Sequence, residues 1–125
     1  MWTFFACPAP GGGRPMNRFI ADLGVEGETA FAAVVDGLRL LERKYWTRPQ
    51  FDVLHGKRYQ GMGEIRFDGD AKTYRVFGYF GPNKLQFTML MGHEKKRSLK
   101  HEMDLAAQRR DFAEANTGLL YEFEF

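Results

Sequence analysis

The sequence predicts an α+β domain built on an antiparallel sheet, with two N-terminal helices on one sheet face and a C-terminal helix. Three observations carry this. Between Gly61 and Lys96, three apolar-alternating runs are separated by the turn signals Asp68-Gly69-Asp70 and Gly81-Pro82-Asn83, the pattern of an antiparallel meander. Ahead of the meander, two stretches repeat apolar residues at helical spacing, and behind it lies a third. With 44% hydrophobic content, residues 1–125 suffice for one core and are too few for two ordinary domains.

The first strand is the aromatic-rich run Trp2 to Ala6. Pro8 to Pro15 follows as a flexible connection, and its Gly11-Gly12-Gly13 run is no phosphate loop, because no Lys-Ser or Lys-Thr pair follows at the needed spacing. Pro15 and Gly24 bracket a short helix with Met16, Phe19, Ile20 and Leu23 on its apolar side. A second helix is expected from Thr29 to Lys44, burying Phe31, Val34, Val35, Leu38, Leu41 and Tyr45. Trp46 to Gln60, broken by Pro49 and Gly56, reads as irregular.

In the meander, pairing Asp68 with Thr73 and Gly81 with Lys84 sorts the side chains onto two faces. One collects Ile65, Phe67, Tyr74, Val76, Phe80, Leu85, Phe87, Met89 and Met91 and is a core face. The other carries Glu64, Arg66, Arg75, Phe77, Tyr79, Gln86 and Thr88, and is expected to stay open. This register sets Arg66 directly across from Arg75, a like-charge pair that costs about 0.2–1 kcal/mol unless something negative sits between. Leu99 to Ala115 is the third helix, with Leu99, Met103, Ala106 and Ala107 on its apolar stripe. Residues 118–125 alternate as an extra edge strand, which offers a route to a homodimer.

A net charge of +2 is mildly basic, so partners follow from clustering and not from the total. Basic residues cluster at Lys57 and Arg58, at Lys95, Lys96, Arg97 and Lys100, and at Arg109 and Arg110. These are solvated helix faces or an RNA track. The lone Cys7 fits a reducing compartment, and no apolar run approaches the roughly 20 residues of a bilayer span, so a cytoplasmic protein without a membrane partner is expected. No metal or other cofactor is expected: His93-Glu94 and His101-Glu102 open like a zinc-protease motif, but Arg97 and Leu105 stand where the second histidine belongs.

Glu64-Ile65-Arg66, Tyr74-Arg75-Val76, Lys95-Lys96, and Glu102, Met103, Ala106 and Arg109 at the spacing E-h-x-x-A-x-x-R together resemble the RelE/HigB superfamily of toxins, in particular its phage Gp49-like branch. The resemblance runs from the N-terminal strand to about residue 115. It implies a RelE-like fold and the toxin half of a type II toxin-antitoxin system. It further implies metal-independent endoribonuclease activity on mRNA in the ribosomal decoding site, and a small antitoxin protein as partner.

Cleavage by a 2'-hydroxyl needs a proton acceptor, positive charge on the phosphate, and an acid for the leaving oxygen. Arg75 and Arg66 suit the second task, because a guanidinium is always charged and grips two oxygens at once. Lys95 and Lys96 add charge at the edge, and Lys57, Arg58, Arg97 and Lys100 are candidate RNA contacts. His93, where the family more often has an apolar residue, is either an acid-base group or an exposed loop histidine. Glu64 is a base or an ion-pair partner of the arginines. The rival function is a catalytically inactive relative of the same fold that binds RNA or a protein.

Overall fold

The computed structural model describes residues 1–95 and 99–124. Six strands form one sheet: β1 (Thr3–Ala6), β2 (Phe51–Val53), β3 (Met62–Gly69), β4 (Lys72–Phe80), β5 (Gln86–Glu94) and β6 (Tyr121–Glu122). Helix α1 (Pro15–Arg39) follows β1, and α2 (Lys100–Ala115) follows β5. The strand order is β2-β3-β4-β5-β1-β6. The fold is therefore α+β as expected, but the sheet is mixed and not antiparallel throughout, because β1 enters between β5 and β6 and runs parallel to β5. Side-chain alternation fixes which residues face a core and is blind to strand direction. No helix among the described residues is long and apolar enough to cross a membrane.

The two expected N-terminal helices are one element with a break at Gly24, whose φ of 77° interrupts the helical backbone. A residue without Cβ adopts that conformation at little cost. The second segment starts at once and ends at Arg39, so Tyr45, expected on its apolar face, is exposed. Beyond the break α1 meets the sheet at backbone distance: a Cβ on Gly69 would lie 2.8 Å from the Gly27 Cα. Phe31, Val35 and Leu38 of α1 pack there on Phe4, Phe51, Ile65, Phe67, Val76, Phe87 and Met89.

The opposite face is not open. Ala106, Ala107 and Ala113 of α2 lie with Met62, Phe77, Tyr79, Leu90 and Met91 in a second buried cluster, so α1 and α2 sandwich the sheet. The alanines let the helix backbone come close, and Met103, Leu105 and Phe112 of the same helix pack around them to seal that face.

The Arg66–Arg75 and Asp68–Thr73 pairings are as expected. The second turn is wider: Phe80 pairs with Phe87, and Leu85 leaves the core for the loop, half exposed at a φ of 54°. Further along, Gly78 pairs with Met89 but Phe77 with Met91, so Leu90 bulges out of register. The bulge reverses the alternation, moving Met91 from the expected α1 face to the α2 face. The C-terminal segment does add an edge strand, β6, and Phe123 beyond it donates its N–H to Phe4 O and is buried. β1 and β5 separate this edge from the strands that carry Arg66 and Arg75.

Candidate functional site

The ladder fixes a row of three nitrogen-bearing side chains across adjacent strands. Arg66 on β3 faces Arg75 on β4, and Arg75 faces His93 on β5. His93 joins this row because of the bulge, and its ring sits 5.1 Å from that of Phe77. Two residues before Arg66, and therefore on the same face, Glu64 projects between the arginines.

Glu64 resolves the like-charge problem. Its Oε1 accepts from Arg66 Nε and Nη2 at 3.1 and 2.7 Å, and its Oε2 lies 3.3 Å from Arg75 Nε. Asp52, paired with Glu64 across β2 and β3, stands 3.6 Å from Arg66 Nη2 and accepts two bonds from Arg48. Cations and carboxylates thus alternate from Arg48 through Asp52, Arg66 and Glu64 to Arg75. The row runs from wet to dry: the Arg48 end is exposed, whereas Glu64 is 3% exposed and Arg75 4%.

Arg75, first among the expected catalytic residues, is therefore not on an open surface. It lies on the α2 face with its charge offset by Glu64. Its Nη1 is buried without a hydrogen-bond partner, and so is His93 Nε2 directly across the ladder. His93 Nδ1 is 2.8 Å from the Glu94 carbonyl, which can only accept, so the neutral ring holds its proton on Nδ1 and leaves Nε2 an acceptor.

Arg66 and Lys95 are brought together. They line a concavity of about 300 Å³ at the end of the meander, with Gln50, Asp68 and Thr73 on its walls. Lys95 is anchored there by its N–H, which donates to Thr73 O at 2.7 Å. Arg75 and His93 do not line it. Lys96 and Arg97 lie outside the described residues.

Arg58, Lys100 and Arg110 serve a seam between α2 and the 3₁₀ turn Lys57–Tyr59. Arg58 pairs with Asp111 at 2.7 Å, Lys100 with Asp104 at 3.2 Å, and Tyr59 Oη also donates to Asp104. Arg110 donates to the carbonyls of Arg58 and Gln60. Lys57 is exposed. Of the expected RNA contacts, then, Arg58 and Lys100 already hold carboxylates. The Tyr59 and Lys100 hydrogen bonds hold the Asp104 carboxyl below the usual range, and the Arg58 bond does the same for Asp111. A carboxyl depressed by folding stabilises above its unfolded pKa of about 4 and loses that contribution as pH falls through its folded value. The unfolding temperature of Asp104→Asn should therefore lie below that of the native chain at pH 7 and converge with it at strongly acid pH. A gap that persists unchanged at pH 2 would show that the carboxylate charge is not what matters.

Of the two expected roles of Glu64 the structure shows the ion-pair partner; sequence reasoning missed Arg48 and Asp52, because residues 46–60 read as irregular and β2 does not show in them. It also gave no role to Arg14 and Arg18, which line a cavity of about 500 Å³ together with Arg109 of the E-h-x-x-A-x-x-R motif. Comparison with family models, with curated proteins and with solved structures yields no match.

Proposed function

We propose that this chain is the toxin of a toxin-antitoxin pair of the RelE/HigB kind. It cleaves mRNA on the ribosome without a metal and is neutralised by a small antitoxin protein in the cytoplasm. The order of elements, a strand, a broken helix, a meander and a closing helix, supports a RelE-like arrangement. The observation that carries the chemistry is the concavity shared by Arg66 and Lys95. Arg66 directs Nε and one Nη2 hydrogen at Glu64 and keeps further N–H donors for a phosphate, and Lys95 supplies a second charge from across the mouth. Arg75 acts as a positioning residue: its charge fixes Glu64, and Glu64 fixes the fork of Arg66.

A second reading is favoured by the Arg75–Glu64 pair itself. A guanidinium buried and neutralised in this way suits a non-cleaving relative that binds RNA or a protein.

Controlled expression in bacteria, scoring growth and mapping mRNA ends, separates the two. Native protein should arrest growth and generate new ends inside translated messages, and Arg66→Ala and Lys95→Ala should each cut cleavage by about 100-fold or more, the usual loss when one charge-stabilising donor is removed. Growth arrest without new ends, or RNA retention without cleavage, would favour the second reading.

A further inference from the structure

A second and larger cavity lies on the other side of β5, away from the Arg66 concavity. β1 pairs only with Gln86 to Met89, while β5 continues to Glu94, and the notch left beside the free length of β5 is walled by α1 and α2. It encloses about 500 Å³, within the roughly 300–1,000 Å³ typical of small-molecule sites. Arg14 and Arg18 reach it from the start of α1, Arg109 from α2; Phe19 and Leu105 give it apolar walls, and Asp22 is its carboxylate.

What marks this cavity is its excess of positive charge, three guanidinium groups against the one carboxylate of Asp22. Arg48, Arg58, Arg66, Arg75 and Arg110 each stand within 4.0 Å of a carboxylate oxygen, whereas among the described residues Arg14, Arg18 and Arg109 do not, and neither do Arg39 and Arg43 elsewhere. Nor is the arrangement loose. The Arg14 guanidinium rests 4.3 Å over the Tyr121 ring, whose hydroxyl donates to Asn17, and Arg109 Nη1 donates to Leu90 O at 3.4 Å. Arg109 is half-buried, and that burial works against its charge. Half-burying a cation with no carboxylate within 4.0 Å, in a cavity lined by two more, is unfavourable unless an anion completes the group. Apolar walls and one acceptor ask in addition for a flat, donor-bearing group.

The geometry points to a nucleotide site: Arg14, Arg18 and Arg109 take the phosphate, Phe19 and Leu105 flank the base, and Asp22 accepts from its N–H edge. The same chemistry is presented by a free nucleoside monophosphate and by one unit of an RNA strand. This site does not depend on the cleavage proposed above, because its readout is binding and its residues are different.

The test is calorimetric titration of the whole chain at fixed salt with guanosine 5'-monophosphate, with inorganic phosphate and with a short single-stranded RNA. Saturable binding of the monophosphate, weakened at least tenfold in Arg18→Glu and in Arg14→Ala and unchanged in Lys84→Ala, is the expected result. Asp22→Asn should weaken the monophosphate several-fold and leave inorganic phosphate alone. Binding of RNA but not of the monophosphate, with the same sensitivity to Arg14 and Arg18, would assign the site to a unit of the strand and supports the proposal. Inorganic phosphate binding as tightly as the nucleotide, or binding indifferent to both arginines in variants that unfold at the native temperature, would overturn it. Should Arg18→Glu not fold, Arg18→Gln takes its place with the same expectation.

Discussion

Glu64→Ala should lower the stability of the fold by about 3–5 kcal/mol, the usual cost of removing one partner from a buried ion pair. At 3% exposure the Glu64 carboxylate is, among the described residues, the one anion within 4.0 Å of Arg75, and it also takes two hydrogen bonds from Arg66. Without it, Arg66 keeps only Asp52 at 3.6 Å, and Arg75 faces Arg66 across the ladder dry and uncompensated. Arg75→Ala should cost a similar amount, because it leaves the carboxylate buried with one flank unpaired. Against a total stability of roughly 5–15 kcal/mol for a domain, either change approaches unfolding. The double variant Glu64→Leu/Arg75→Met should recover most of the loss, since apolar groups of like volume replace such a pair at little or no cost. Urea denaturation measures all three. A Glu64→Ala variant within about 1 kcal/mol of native would mean that water reaches Arg75 freely. The consequence for function is practical: growth arrest lost in Arg75→Ala reports folding before it reports catalysis, so the activity test belongs to Arg66 and Lys95.

The parts of this site that the sequence disclosed are those set by local geometry. A tight turn at residues 69–72 fixes the Arg66–Arg75 register, and Asp70 and Ala71 complete it in left-handed conformations. The helix break at Gly24 and the span of α2 follow from equally local signals. What escaped depends on one residue of slip or on distant partners. The bulge at Leu90 gives no signal in a run of apolar residues, yet it decides that His93, and not Gly92, stands beside Arg75. The closing of the second face depends on Ala106, Ala107 and Ala113, which read as a weak stripe because small residues bury little area while allowing close approach. Asp52 pairs with Glu64 only once Phe51–Val53 is known to be a strand. Arg14 and Arg18 meet Arg109 through tertiary packing, and no spacing in the chain foretells it.

Trp46→Ala should be as severe as the loss of Glu64, at about 3–5 kcal/mol, although it touches no charged group. Trp46 lies just past the 3₁₀ turn Arg43–Tyr45, in a segment that looks irregular, and is 2% exposed. Its ring contacts those of Trp2, Phe4, Phe51, Phe80 and Phe87 at centroid distances of 4.8–5.8 Å. Those five rings come from the N-terminal segment and from β1, β2, β4 and β5, so one side chain ties the inserted parallel strand and the β2 edge to the meander. Aromatic pairs at such distances contribute about 0.5–1.5 kcal/mol each beyond the area they bury, and alanine forfeits them together while leaving a cavity the strands are too constrained to close. The indole N–H also donates to Leu38 O at 3.0 Å, but that carbonyl keeps the Leu41 N–H, so losing the bond alone orphans nothing. Trp46→Phe, which preserves most ring contacts, should therefore cost only about 1–2 kcal/mol, one modest hydrogen bond plus a partial void. Urea unfolding followed through Trp2 fluorescence compares the two variants directly. If phenylalanine proved as damaging as alanine, the hydrogen bond to the end of α1, and not the five-ring contact, would be what holds the two edges of the sheet together.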